Sequence, residues 1–401
     1  MPSATKDSLS AEEAAEFLGV TKATLYAYVS RGMIHSTQAD NGTRRKRYPL
    51  AQLQALKHRS NYRSDPERAA AEVIEFGNPI LTTSISQITA TEHSYRGVSS
   101  KELAQSHSFE QVAQFLWTGE LGPARPEWLE PVSEEALVSL PGLAPLEHMQ
   151  SLLPSLEHQD LNGYSTKPSI LVPSAIRILL YLTRLSSGRP FEGRVAATLA
   201  KAWGADERIL DALLVMVADH ELNIATFTAR CVASAGASLY QSVLAGLAAL
   251  QGYKHLQGQV TEARTFFEEV LHEDDAEPVI RRWLRQRGTV PGFHNPYRRL
   301  YEGSDPRVAP LLTLHQRSER YELLLDTVRL AEAASGEHAR VDFALAVAEP
   351  LLRLPDGAIF SLIGLGRTAG MTAHVMEQYG SDRVIRPRAK YVPTVPAAPV
   401  G

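Results

Sequence analysis

Over most of the chain, apolar residues recur at the three-to-four-residue spacing of an α-helix. From about residue 69 onward, SFEQVAQFLW, PSAIRILLYLTRLSS, RILDALLVMVADHEL, ASLYQSVLAGLAALQGY, RYELLLDTVRLAEAAS and DFALAVAEPLLRL all show it, punctuated by Pro and Gly. Strand signals are sparse, limited to ILTTSIS near 80–86 and a short stretch near residue 393. The tail VPTVPAAPVG is Pro-rich and reads as loose. The pattern predicts an overwhelmingly helical body.

Residues 9–57 read differently, as two short helices, a β-hairpin and a third helix. Ser10 is placed to cap the first helix, with Glu12 and Glu13 in its first turn and Ala14, Ala15 and Leu18 as its apolar stripe. Gly19 breaks that helix, Thr21 caps the next, and Gly32 ends it, with Val20, Leu25 and Val29 facing inward. Asn41-Gly42 is a hairpin turn signal, and Pro49 is placed to open the third helix around LAQLQALK. This order resembles a winged helix-turn-helix of the MerR type, which puts its second helix in the DNA major groove and its wing along the backbone. The resemblance implies DNA contacts from Lys22, Thr24, Tyr28 and Arg31 on that helix and from Arg44, Arg45, Lys46 and Arg47 in the wing. The plain alternative is a solvated basic hairpin on a docking module. A MerR-type coiled coil does not follow it, so dimerisation falls to the rest of the chain.

Charge supports a separate appendage. The 401 residues are 44% hydrophobic and 21% charged with a net charge of −4, a globular composition long enough for two or more domains. Residues 1–68 carry 11 Lys and Arg against 7 Asp and Glu, and the remainder carries 30 against 38. The single cysteine, Cys231, excludes an intramolecular disulfide and reads as a small core residue. MPSATKDSLS has no apolar signal core, and no run of about 18 uncharged apolar residues appears, so a cytoplasmic chain without a membrane span is expected.

Polar groups interrupt the helical body at a few places. ADHELNIATF puts His220 and Asn223 one helical turn apart, a pair that bonds a carboxylate or carbonyl or closes a structural network. GYKHLQGQ carries His255 after an apolar run, where it reads as a core histidine at a helix end or as a working group. GTVPGFHNPYRRLYEGSDPR offers His294, Asn295 and Arg307 in a Gly- and Pro-rich loop. Asp342 opens an apolar helix, where the dipole alone would favour it. Arg367 sits among small residues, and Arg386 and Arg388 flank a proline. Arginines and histidines with one carboxylate, and with no Cys/His metal spacing or phosphate loop, point to an anionic di- or tricarboxylate substrate with the aspartate as general base.

The order RG, SFEQVAQFLWTGELG, DHELN, a lone His, PGF-H, DPR, VDF, GRTAGMTAH and RPRAKY, from about 77 to 395, resembles the citrate synthase family. The resemblance implies an all-α body in which a large domain (69–254 and 346–401) and a small domain (255–345) close over the site, after a winged module (1–58) and a linker (59–68), in a homodimer. It implies that Asp342 takes a proton from acetyl-CoA, His255 stabilises the enol, and His294 polarises the oxaloacetate carbonyl. His220, Asn223, Arg307, Arg367 and Arg386 would hold oxaloacetate, Arg386 from the other subunit. Acetyl-CoA or another acyl-CoA would be the co-substrate, with no tightly bound cofactor and no metal.

Two places depart from the family pattern. The usual Gly-Gly-Ala-Asn after the first histidine is Leu256-Gln257-Gly258-Gln259 here, so Leu256 and Gln257 are expected to bring side chains into the acyl-CoA space. The second histidine follows Phe293 directly, which leaves His294 or Asn295 in the polarising position. The functions in view are citrate synthase, 2-methylcitrate synthase using propionyl-CoA, another acyl-CoA condensing or lyase activity, and a catalytically weakened sensor that regulates transcription through the module.

Overall fold

The structure is a computed structural model describing residues 8–38, 46–49, 52–53, 56, 81–89, 91–129, 142–293, 304–381, 383–389 and 391. The chain divides into two compact units, Met1–Thr82 and Thr83–Gly401.

In the first unit, helices Ala11–Leu18 and Lys22–Ser30 begin and end where their caps dictate. Ser10 Oγ accepts from Glu13 N–H at 3.3 Å while the Glu13 carboxylate accepts from Ser10 N–H at 2.8 Å, a reciprocal capping box. Gly19 closes the helix at φ 67°, and Thr21 caps the next by accepting from Thr24 N–H at 3.2 Å. Strand Lys46–Pro49 lies antiparallel between Ser8–Ser10 and Thr37–Gln38. The flanking strand at Ser8–Ser10 has no sequence signal, being three residues long and running straight into a helix cap. Pro49 ends the central strand rather than opening a helix, and Gln52 and Leu53 are already helical. Ala14, Leu25, Ile34, Tyr48 and Leu53 form this unit's core.

The expected outward face needs a correction. Tyr28 packs against this core, and Tyr26 is the exposed aromatic, at 51%. Lys22 is exposed and paired with Glu12, and Arg31 is exposed at the helix end. Arg47 lies in the central strand, while Asn41-Gly42, Arg44 and Arg45 fall outside the described residues.

The second unit is built around helix Ala358–Tyr379, 22 residues buried along almost its whole length. A helix apolar on all sides belongs at the centre of a core. Its small residues admit neighbours closely: a Cβ at Gly366 would lie 2.5 Å from Val217 Cγ2. Its buried Thr368 and Thr372 satisfy themselves by donating to the carbonyls of Gly364 and Thr368, at 2.7 and 2.8 Å. Helices Phe109–Thr118, Pro145–Gln159, Pro168–Ser187, Glu207–Met216, Ile224–Ser234 and Leu239–Leu250 pack around it. Pro168–Ser187 is long and apolar enough to cross a membrane by length and composition, although Arg177 and Arg184 interrupt it. Its Leu171, Ala175, Ile178, Leu179 and Leu182 are buried against these neighbours, as in a core helix. Cys231 is half-buried rather than a core residue.

One small sheet serves the site. Ser86–Ile88, His93–Tyr95 and Val98–Ser99 form an antiparallel meander, of which the pattern at 80–86 marked only the start. Near the other end of the chain, helix Leu256–Glu273 packs on helix Val341–Ala346. Phe343 meets Phe293 with ring centroids 4.9 Å apart and Phe267 at 5.9 Å. Each buried phenylalanine contributes roughly 1.5–3 kcal/mol, so this cluster fixes the backbone beside Asp342 firmly.

Candidate active site

The segment DHELN is a turn, not the continuous helix its pattern suggested. Helix Glu207–Met216 ends at Val217, Glu221 takes a left-handed φ of 51°, and Asn223 caps helix Ile224–Ser234. Asn223 Oδ1 accepts from the N–H groups of Ala225 and Thr226 at 2.9 and 3.1 Å. Its carboxamide oxygen is therefore committed to the cap, and His220 and Asn223 do not share a helix face.

Asp219, fully buried, organises the turn. Its Oδ2 accepts from Ser86 Oγ, from Glu221 N–H at 2.9 Å, and lies 3.2 Å from His374 Nε2. Asp219 N–H donates to the Tyr95 hydroxyl at 3.2 Å, which itself donates to Val215 O at 2.8 Å. Burial alone would raise the Asp219 carboxyl, but His374 and Arg367 outweigh it and hold it below the ordinary value, hence anionic.

His220 follows directly. Burial, reinforced by the cations Arg307 and Arg367, keeps its ring neutral, with its pKa well below normal. His93 lies 6.0 Å away, centroid to centroid, its Nδ1 3.0 Å from Ser100 Oγ. Burial, then Arg307, lowers its pKa to about 3. His220 Nδ1 and His93 Nε2 are buried without a hydrogen-bond partner. Two neutral imidazoles thus hold unpartnered buried nitrogens beside buried positive charge, with the carboxylate of Asp305 interleaved.

That charge comes from two buried arginines. Arg307 is bound by Asp305 through Nε to Oδ1 at 3.0 Å and Nη2 to Oδ2 at 2.7 Å. Arg367 donates from Nε to Val217 O at 3.0 Å, and burial lowers its pKa while Asp219 opposes the shift. Asp342, 4% exposed in the first turn of Val341–Ala346, is raised by burial, with Arg340 and Arg307 opposing. Arg340 Nε stands 3.3 Å from Asp342 Oδ2, and Arg340 N–H donates to Gly292 O at 2.9 Å. A buried carboxyl with a raised pKa is the profile of a general base tuned toward neutrality.

His255 does not end an apolar helix; it immediately precedes helix Leu256–Glu273. Its N–H donates to Gly252 O at 2.8 Å, and its Nε2 is buried without a hydrogen-bond partner. Burial, then Arg367, lowers its pKa to about 4, so it is a neutral imidazole. Leu256, expected to crowd the acyl-CoA, is 7% exposed and belongs to the hydrophobic core. Gly258 is demanded by a close approach: a Cβ there would lie 1.9 Å from Tyr253 O. Gln257 is half-buried, with Oε1 unpartnered.

The mutual electrostatic influence of His220, His255, Arg307, Asp342 and Arg367 marks them as one cluster. Arg386 is exposed and, among the described residues, is tied to none of them, while His294 and Asn295 lie outside the described residues. Sequence reasoning missed His93, Asp219, Asp305, Arg340 and His374. All but His93 stand within or next to a quoted motif: DHELN, DPR, VDF and GRTAGMTAH. The cluster can bind a dianion between guanidiniums and remove a proton beside it, while neutral imidazoles donate to developing negative charge.

The chain matches known proteins over the same region. "Citrate synthase, C-terminal domain" matches residues 76–388, and "Helix-turn-helix domain" matches residues 8–60. Citrate synthase 2 of Bacillus subtilis (strain 168) is 26% identical over 351 residues, 77% of this chain and 92% of that protein. 2-Methylcitrate synthase of Shewanella oneidensis is 28% identical over 342 residues, 75% of this chain and 89% of the relative. The fold matches citrate synthase from Thermotoga maritima with a TM-score of 0.67 at 23% identity, covering 82% of this chain and 98% of that one. It also matches a ternary complex of Thermoplasma acidophilum citrate synthase with carboxymethyl coenzyme A and oxaloacetate, with a TM-score of 0.68 at 17% identity and the same coverage. The family match takes in DHELN, DPR and VDF alike, and with them the buried cluster they build, so the chain belongs to the citrate synthase family and carries a helix-turn-helix domain at its N-terminus.

Proposed function

We propose that this protein condenses an acyl-CoA with oxaloacetate, giving citrate from acetyl-CoA or 2-methylcitrate from propionyl-CoA. Asp342 takes a proton from the carbon next to the thioester carbonyl, and neutral His255 donates a hydrogen bond to the enol oxygen that forms. That carbon attacks the oxaloacetate ketone, whose oxygen gains a proton with help from His294. Water then cleaves the thioester and CoA leaves as the thiol. His220, Asn223, Arg307 and Arg367 hold oxaloacetate, with the partner subunit's Arg386 completing the clamp in a homodimer. The observation that carries this reading is Asp342, a buried carboxyl raised from its ordinary value and placed among Arg307, Arg340 and Arg367. The placing of Leu256 in the core removes one steric objection to catalysis. Free-thiol release in the presence of oxaloacetate, compared for acetyl-CoA and propionyl-CoA, tests it and assigns the acyl chain; no release with either refutes it.

The helix-turn-helix match supports DNA binding by the first unit through Tyr26, Arg31, Arg47 and the wing arginines Arg44 and Arg45. Fluorescence anisotropy of the full chain on duplex DNA at stepped salt tests this. Each phosphate contact removed by substitution should flatten the salt slope by about 1. No salt-dependent binding would leave the unit a docking module.

A further inference from the structure

Behind the substrate-facing groups lies a buried carboxylate–imidazole pair that no step of the reaction uses. Asp219 and His374 both have 0% side-chain exposure, and Oδ2 and Nε2 lie 3.2 Å apart. Helix Ala358–Tyr379 presents Arg367, Gly370 and His374 at i, i+3 and i+7, along one face. Each meets a successive residue of the His220 turn. Arg367 Nε donates to Val217 O at 3.0 Å, Gly370 N–H donates to Ala218 O at 3.0 Å, and His374 meets Asp219. Only glycine allows this contact, since a Cβ at position 370 would lie 2.3 Å from both Ala218 O and Asp219 Oδ1.

Through Oδ2, Asp219 passes that register onward. The same oxygen that meets His374 accepts from Glu221 N–H, so the residues on both sides of His220 are fixed, Glu221 in its left-handed conformation. It also accepts from Ser86 of the small sheet. On its far side His374 Nδ1 lies 3.5 Å from Thr83 Oγ1 and 3.9 Å from Glu377 Oε2, and Glu377 binds Ser84 N–H at 2.7 Å and Arg230 at 2.8 Å. The histidine is therefore held from behind while it holds the aspartate in front.

We infer that Asp219 and His374 are positioning residues for the condensation: the pair locks the 217–221 turn to the helix bearing Arg367, so that the His220 ring and the Arg367 guanidinium converge on one dicarboxylate. The inference rests on the reading of this site as the oxaloacetate site. A pair that served only to fill the core would affect stability alone, whereas a positioning pair acts on substrate affinity as well.

The test uses the full chain with His374→Leu, His374→Gln and the nearly isosteric Asp219→Asn. Glutamine can return an amide N–H close to the position of Nε2. Oxaloacetate binding is read by calorimetry and KM for each substrate from thiol release. His374→Leu and Asp219→Asn should weaken oxaloacetate binding and raise its KM by about tenfold to a hundredfold, the scale of a misplaced contact. The KM for acyl-CoA should move far less, and His374→Gln should recover most of the loss. If His374→Leu does not fold, Asp219→Asn and His374→Gln carry the comparison. An oxaloacetate affinity within twofold of wild type in Asp219→Asn, whatever its melting temperature, overturns the positioning role. Wild-type protein that binds no oxaloacetate overturns both this inference and the function on which it rests.

Discussion

Asp305 grips Arg307 with two parallel hydrogen bonds, 3.0 and 2.7 Å long, and both side chains are 2% exposed. Arg307 N–H adds a third at 3.0 Å to the same carboxylate. Burial would raise the Asp305 carboxyl, but the charge and hydrogen bonds of Arg307 hold it well below the usual carboxylate range. The arginine is thus held in one orientation, with its fork fixed by a neighbour two residues away.

Removing that neighbour should be costly. Asp305→Ala leaves a buried guanidinium without its main counter-charge, a loss of about 3–5 kcal/mol. Urea unfolding should show it as a clear fall in midpoint, accompanied by a raised KM for oxaloacetate. A midpoint unchanged from wild type would mean that the pair contributes nothing to stability.

The acid limb of the rate profile should report Asp342. Arg340, 3.3 Å away, pulls its carboxyl down against the burial that raises it. Replacing Arg340 by leucine therefore raises the Asp342 pKa further. The limb of log kcat/KM against pH should move to higher pH, since the base must be ionised to act. An unmoved limb, or one displaced to lower pH, would show that another group controls it.

Stability should fall on mild acidification, partly through His315. It is 1% exposed, and neither ring nitrogen has a hydrogen-bond partner. Burial lowers its pKa to about 4 from an ordinary 6.5. Above pH 6.5 both states are neutral and the group has no effect. Below it the unfolded chain takes up the proton first, so stability is lost as pH falls from about 6.5 toward 4, on the order of 2–3 kcal/mol in all. His315→Leu should flatten the dependence of the urea midpoint between pH 7 and pH 5. An equally steep dependence would remove His315 from the account.

Leu256→Gly, which restores the family's residue after the first histidine, should not raise turnover. Leu256 is a core side chain, and its truncation costs about 2–5 kcal/mol. Gln257→Gly is the informative change, because Gln257 is only half-buried. Thiol-release rates and melting temperatures for both variants check this. Faster turnover in Leu256→Gly would show that its side chain obstructs the acyl-CoA after all.

The helical body was legible because its periodicity is strong, and the module because caps and turns leave local signals at Ser10, Gly19 and Thr21. Asp342, Arg307 and Arg367 could be picked out as charge set into apolar or loop sequence. The rest of the site depends on long-range pairing, which no local pattern encodes. His374 meets Asp219 across 155 residues, and Tyr95 reaches Val215 across 120. The turn at 217–223 reads as helix from sequence because the apolar spacing of RILDALLVMVADHEL runs on into it. The left-handed Glu221 is held by the Asp219 carboxylate two residues back and by a long-range contact, its N–H donating to Ser86 Oγ at 3.0 Å across 135 residues. The burial of Leu256 likewise depends on what packs on it, which no local pattern shows.

The central claim is that Asp342 is the base of an oxaloacetate-dependent condensation. The most direct measurement is free-thiol release from acyl-CoA by Asp342→Asn beside wild type, with oxaloacetate binding followed in parallel by calorimetry. Release in wild type, its loss by about a hundredfold or more in the variant, and undiminished oxaloacetate binding in both are the predicted result. A variant that releases thiol at the wild-type rate would contradict it.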